Sequence, residues 1–250
     1  MNVHGEVIGI NTAIVAAGQG IGFAIPINMA KKVVAQLVGK GSVSRGWLGV
    51  SIQQVTPEIA QSFGLDKLRG ALVSEVIAGG GAALAGIRQG DIILRVDGAD
   101  VRDVRHLQRM VADVTAGKKI EVVVFRDGKE LPVTITVGSA ESAEARKPRP
   151  VEQGGGGTAV TSWVGLSVDD LPVDLRKRGA SGVIVREVEE GSIAGEGGMQ
   201  RGDIIVSVNQ RKVSDLNAFA MLMKEAEQRG SVAFLVRRGN ASIYFAFRIK

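Results

Sequence analysis

The sequence predicts a mainly β fold with short helices, an α+β protein made of two copies of one unit, and three observations carry that prediction. Arg69-Gly70-Ala71-Leu72-Val73-Ser74-Glu75-Val76 aligns without gaps to Ser181-Gly182-Val183-Ile184-Val185-Arg186-Glu187-Val188, and Gly90-Asp91-Ile92-Ile93 returns as Gly202-Asp203-Ile204-Ile205 at the same offset of 112 residues (203 − 91). Each copy opens on an apolar-Gly-apolar loop that runs into a strand, Arg45-Gly46-Trp47-Leu48-Gly49-Val50 in one and Thr161-Ser162-Trp163-Val164-Gly165-Leu166 in the other. With 34 glycines and only 4% aromatic residues, the chain calls for many tight turns around small cores of Val, Ile, Leu and Ala. Its 250 residues suffice for two domains of about 100 residues with a remainder.

The remainder comes first. Residues 6–15 read as a strand, 16–20 as a turn and 21–25 as a returning strand ended by Pro26. An amphipathic helix then starts near Asn28, a candidate N-cap, carries Val33, Val34, Leu37 and Val38 on one face, and stops at Gly39 or Gly41. One hairpin and one helix do not bury their own apolar faces, so residues 1–44 are not expected to stand as a domain.

The first repeat unit covers 45–137 and the second 160–250. In each, a short Ala/Gly-rich helix precedes Gly-Asp-Ile-Ile, a longer helix follows (104–114 or 216–227), and a hairpin closes the unit. The hairpin turns are Arg126-Asp127-Gly128-Lys129 and Arg237-Arg238-Gly239-Asn240. Between the units, residues 138–159 contain a charged, Pro-bearing stretch and Gly154-Gly155-Gly156-Gly157. That composition does not support a core, and a coil of this length spans roughly 25 Å root-mean-square. The two units are therefore expected to move relative to one another.

Composition excludes more than it selects. A net charge of +5 and a pI near 9.6 permit an acidic partner, but the basic residues are scattered and no aromatic residues interleave with them, so no nucleic-acid partner is expected. Without cysteine there is neither a disulfide framework nor a thiolate metal site, and no cofactor or metal is expected. No apolar run approaches the roughly 18 residues of a membrane span, and the N-terminus lacks the pattern of a signal peptide.

The loops are the sites that suggest chemistry. A chain that turns at glycine and continues as a strand can aim successive N–H groups into one concavity, a place for a carboxylate. If the strand is also a free edge, an incoming peptide can pair with it and leave its C-terminal carboxylate in the loop. In the first unit the expected carboxylate loop is Trp47, Leu48, Gly49 and Val50 with Arg45 as outer support, and Ser51, Ile52, Gln53 and Gln54 supply edge pairing. A plain turn into a strand is the other reading. Leu107, Val111 and Val114 share one face of the following helix, and that stripe serves equally as core or as groove wall. In the second unit the loop is Trp163, Val164, Gly165 and Leu166, with Phe219 and Met223 at the positions of Leu107 and Val111, and the larger Phe threatens to fill the pocket. Asp91 and Asp203, each after a Gly at a turn, are expected to accept N–H groups of their own loop rather than to catalyse. Asp169-Asp170 is expected to be solvated.

These residues resemble a family. The paired Gly-Asp-Ile-Ile units with apolar-Gly-apolar loops look like PDZ domains of the bacterial, circularly permuted type. The leading segment, Gly5-Glu6-Val7-Ile8-Gly9-Ile10-Asn11-Thr12-Ala13-Ile14 and Gly20-Ile21-Gly22-Phe23-Ala24-Ile25-Pro26, is similar to the last strands of the trypsin-like domain in HtrA/Deg (Do-like) serine proteases. The resemblance implies two partly open PDZ barrels or sandwiches after a remnant of a trypsin-like β-barrel, in which Ile21 and Phe23 line the pocket for the residue before the scissile bond. It implies a periplasmic protein, homo-oligomeric at full length, whose PDZ units bind unfolded or misfolded proteins and hydrophobic C-terminal peptides, or else act mainly in assembly. The family's nucleophile motif, Gly-Asn-Ser-Gly-Gly, is not among these residues, and His4 and His106 lack the family's His context, so these residues alone are expected to be proteolytically inactive.

Overall fold

The computed structural model describes residues 1–14, 22–139, 158–161, 163–172, 175–176 and 180–248. The chain divides into two compact units, 1–45 and 46–250.

In the first unit β1 (Gly9–Ile14) pairs antiparallel with β2 (Gly22–Pro26), with a bulge between Asn11 and Ala13. The expected turn between them, and Ile21 with it, lies outside the described residues. The helix α1 (Ile27–Lys40) begins a residue before Asn28, with Pro26 at the N-cap and no side-chain cap. Proline needs no partner for an N–H it does not have, which lets the strand pass directly into the helix. Gly41, at φ 70°, ends the helix and donates its N–H to the Leu37 carbonyl. Val34, Leu37 and Val38 of the apolar face are exposed, as is Phe23.

The second unit holds both repeats. The first runs β3 (Gly46–Trp47), β4 (Val50–Gln54), α2 (Pro57–Phe63), β5 (Ala71–Val76), α3 (Gly81–Leu84), β6 (Ile92–Val96), β7 (Ala99–Asp100), α4 (Val104–Ala112), β8 (Lys119–Arg126), β9 (Lys129–Thr136) and β10 (Gly138–Ser139). The second runs β11 (Thr158–Thr161), β12 (Leu166–Asp170), β13 (Val183–Val188), α5 (Ile193–Glu196), β14 (Ile204–Val208), β15 (Arg211–Lys212), α6 (Leu216–Arg229), β16 (Ser231–Arg238) and β17 (Ala241–Arg248). The open antiparallel sheets follow one plan: β4-β5-β6-β8-β9 with β7 beside β6, and β12-β13-β14-β16-β17 with β15 beside β14. Two small strands break the parallel. In the first repeat β3 pairs with β10, whereas in the second β11 adds itself to the outside of β12.

Each repeat wraps its own core. Leu48, Val73, Ile93, Leu107, Ile120, Val122, Val124 and Ile135 fill the first, and Val164, Leu166, Val185, Phe219, Phe234, Val236 and Phe247 the second. Both are tied at one place by the same device. Asp91 is 1% exposed; it accepts the Arg88 N–H at 2.8 Å and binds Arg126 through Nε and Nη2, both at 2.7 Å, while Nη2 also reaches the Gly86 carbonyl. Asp203, Arg238, Gln200 and Gly198 repeat these contacts 112 residues on. The expected acceptance of loop N–H groups therefore holds; the arginine partner is an addition. The hydrogen bonds to Asp91 raise the Arg126 pKa above its ordinary value, so the pair stays charged on the arginine side at any working pH.

The expected independence of the two repeats is corrected by a third apolar cluster, which joins them: Val55, Ile59, Ala60, Phe63, Leu72, Ile92 and Leu94 from the first with Ala233, Leu235 and Tyr244 from the second. Its centre is α2, which packs on β16 and β17. Thr56 caps this helix by accepting the Ile59 N–H, Pro57 sits in its first turn, and Gly64 closes it in the left-handed conformation. The Tyr244 ring meets Phe63 edge-on at 5.5 Å, and Gln53 bonds the Tyr244 backbone twice, its amide donating to the carbonyl at 2.7 Å and accepting the N–H at 2.9 Å. Burial raises the Tyr244 phenol above its ordinary range. The expected coil of 138–159 falls mostly on residues not described, but its two ends are strands, β10 and the start of β11. Asp169 departs from the solvated reading: it is 8% exposed on β12, with Arg186 at 3.8 Å, and Asp170 accepts the Leu216 N–H at the start of α6.

Candidate functional site

The first loop is built by glycine and by where its carbonyls go. Gly49 has φ 85°, and a Cβ there would stand 2.9 Å from the Gly80 Cα, so an L side chain is opposed by both conformation and space. The Leu48 carbonyl accepts the Ala82 N–H and the Gly49 carbonyl accepts the Ile77 N–H, each at 2.8 Å. In a trans peptide the N–H points opposite to the carbonyl before it. The Gly49 and Val50 N–H groups are therefore turned away from α3 and β5. Leu48 and Gly49 are buried, Trp47 and Val50 half-buried, and Arg45 is exposed in the first unit.

Next to this loop β4 ends its sheet, with β5 on one side and no strand on the other among the described residues. Strand β4 and helix α4 border a pocket of about 270 Å³ lined by Gly46, Trp47, Leu48, Val50, Ile52, Leu107, Gln108 and Val111. Leu107 is 1% and Val111 7% exposed, so the α4 stripe belongs to the core on one flank and to the pocket on the other. Val114 follows the end of α4 and packs against the core cluster without lining the pocket. Of the β4 residues, Ile52 faces the pocket, Ser51 is exposed, and Gln53 gives its side chain to Tyr244. Gln108 was not singled out from the sequence, because a polar residue between Leu107 and Arg109 reads as solvent face. A row of edge N–H and C=O groups, loop N–H groups turned outward and an apolar pocket beside them can together hold an extended segment that ends in a carboxylate.

The second loop has the same construction. The Ala194 N–H reaches the Val164 carbonyl at 3.1 Å and the Glu189 N–H the Gly165 carbonyl at 2.9 Å, which turns the Gly165 and Leu166 N–H groups outward. Gly165 has φ 70°, and a Cβ on it would meet Ser192 Cβ at 2.2 Å. Val164 and Leu166 are buried and Trp163 half-buried. Phe219 is fully enclosed, 6.3 Å from Phe234, and Met223 is 2% exposed, so both lie in the core at the positions where Leu107 and Val111 border the first pocket. Phe23, predicted as part of a protease pocket, lies on β2. Among the described residues no group of His, Asp, Glu or Cys is arranged to hold a metal, and no helix is long and apolar enough to cross a membrane.

Comparison with known proteins places this geometry in context. Two PDZ domain families match, one at residues 46–137 and one at 184–238. The chain is 37% identical over 253 aligned positions to the periplasmic pH-dependent serine endoprotease DegQ of Escherichia coli, covering 99% of this chain and 52% of DegQ. It is 40% identical over 238 positions to a probable periplasmic DegP-like serine endoprotease of Rhizobium meliloti, covering 92% of this chain and 46% of the relative. Among solved structures, a variant of the HtrA-type protease AlgW with decapeptide matches at 43% identity and a TM-score of 0.50, covering 54% of this chain and 42% of that one. The chain thus spans about half the length of the curated relatives it matches.

Proposed function

We propose that this chain, which carries two PDZ domains, is part of an HtrA/Deg-type periplasmic serine endoprotease and that its first PDZ domain captures hydrophobic C-termini or extended segments of unfolded or misfolded proteins by β-augmentation. Tandem PDZ domains in HtrA-type proteases fit a substrate-binding and regulatory role. The observation that supports it most is the edge of β4, which no strand among the described residues covers, beside a pocket lined by Leu107 and Val111. The Gly49 and Val50 N–H groups fix the terminal carboxylate, the β4 backbone gives affinity that does not depend on sequence, and the pocket takes one apolar side chain. The captured protein is handed to the protease domain of the whole enzyme, which works as a homo-oligomer in envelope protein quality control.

The test is fluorescence anisotropy of a labelled peptide ending in Val, beside the same peptide with an amidated end. Binding is expected to fall at least about tenfold on amidation, because a charge-assisted hydrogen bond contributes roughly 1.5–3 kcal/mol. Equal binding of the two peptides would remove the carboxylate from the mechanism and favour PDZ units that serve assembly. Gly49→Val, which cannot adopt the loop without moving Gly80, is expected to weaken the free-acid peptide by about tenfold or more while the thermal transition persists. A variant that binds as the wild type does would place the site elsewhere.

A further inference from the structure

The two PDZ grooves differ in one respect that their sequence repeat hides. A peptide that leaves its C-terminal carboxylate in the loop has to run antiparallel to the strand after that loop, with its last residues at the strand's beginning and the long helix on its other flank. In the second domain the strand after the loop is β12 and the helix is α6. Strand β11 lies on the outer edge of β12, antiparallel, with Thr161 opposite Leu166, Val160 opposite Ser167, Ala159 opposite Val168 and Thr158 opposite Asp169. Its backbone also comes against α6. It therefore has the direction, the register and the place of a bound peptide, with its C-terminal end at the loop it continues into.

We infer that the second groove is closed in cis: β11 is a built-in pseudo-ligand, and an extended segment enters this site only by displacing it. The inference rests on reading the grooves as peptide sites. In the first domain the residues before the loop take another course. Gly46 and Trp47 pair with β10, at Ser139 and Gly138, and no strand among the described residues covers the outer edge of β4. A Cβ on Gly46 would lie 2.2 Å from the Val111 carbonyl oxygen and 2.6 Å from that of Val114, so this approach is held tightly against the end of α4 and away from the β4 edge. By the alignment of the loops Gly46 and Trp47 correspond to Ser162 and Trp163, and Thr161, the residue before them, joins β12. A strand joined to its site by a short loop competes at an effective concentration on the order of millimolar, so a weak free peptide is excluded until the strand is pulled away or outcompeted by a longer segment.

Two measurements on the full chain test this. Amide hydrogen exchange reads β11 without any ligand: in the wild type the amides of β12 are expected to exchange slowly along both edges. Ala159→Pro together with Val160→Pro removes two consecutive N–H groups, one of which must face β12, and is expected to speed exchange at alternate β12 positions by about tenfold or more, leaving β16 unchanged. Binding of a labelled peptide ending in Val is then measured with the first groove disabled by Gly49→Val. The chain with native β11 should bind poorly, and the chain carrying both proline substitutions should bind at least about tenfold better. Fast exchange at the outer β12 edge of the wild type overturns the inference. So does loss of protection in the proline variant with no gain in peptide binding, which would make β11 a structural strand over a groove that takes nothing. Failure of the wild-type chain to bind any peptide would count instead against the reading of the first groove, and the exchange result would still decide whether β11 closes the second edge.

Discussion

Asp91→Ala is expected to destabilise the second compact unit by about 3–5 kcal/mol, read as a lower urea midpoint at unchanged slope. Asp91 is 1% exposed and takes two hydrogen bonds from Arg126, whose own side chain is 17% exposed. Removing the carboxylate leaves a partly buried guanidinium without its counter-charge and the Arg88 N–H without its acceptor, and the cost of those stranded groups exceeds the net value of the pair. The second domain gives an internal comparison. Arg238 is 33% exposed and so can turn to water once Asp203 is gone, which predicts a smaller loss, about 2 kcal/mol, for Asp203→Ala. Removing both members, as in Asp91→Leu with Arg126→Met, should recover part of the first loss. Equal losses for Asp91→Ala and Asp203→Ala would show that the exposure of the arginine does not set the cost, and no loss in either would show that the arginines are not held by their carboxylates.

Tyr244→Ala should separate the two PDZ domains. The ring belongs to the shared cluster with Phe63, Ile59 and Leu72 and not to the core formed by Phe219, Phe234 and Phe247, so its loss falls on the docking contact. Truncating a buried aromatic residue costs about 3–5 kcal/mol, and Tyr244 is 4% exposed. Differential scanning calorimetry of the wild type is expected to give one coupled transition for the second unit, and the variant two. A single transition persisting in Tyr244→Ala, at the wild-type midpoint, would refute docking through this cluster. The coupling has a functional reach, because Gln53, which holds the Tyr244 backbone, lies on β4 between the residues that border the first pocket and α2. A segment paired with β4 and the neighbouring domain therefore act on the same strand from two sides.

Much of this architecture is legible in the chain because it is written locally. The repeat of Gly-Asp-Ile-Ile at a constant offset, the hairpin turns at Gly128 and Gly239, and the apolar-Gly-apolar loops each follow from a few adjacent residues whose backbone needs are met by glycine at defined places. Asp91 and Asp203 were readable as loop acceptors for the same reason, whereas Arg126 and Arg238 were not, since their partners stand 35 residues away across the sheet. The helix α2 was not singled out from the sequence, although Thr56 caps it, Pro57 opens it, Gly64 closes it, and Ile59, Ala60 and Phe63 form its buried face. What that face covers was not signalled. A short amphipathic helix specifies that something must bury it, not which surface does, and here the other repeat supplies Tyr244 and Leu235. The same limit applies to the two grooves. The sequence by itself determined a repeated loop and strand with an apolar helix to follow, since those depend on periodicity and turn chemistry. Only the tertiary structure decided that, among the described residues, no strand covers the outer edge of β4 while β11 covers that of β12, because edge pairing depends on which distant or neighbouring backbone arrives first, and backbone hydrogen-bonding groups are the same in every residue but proline.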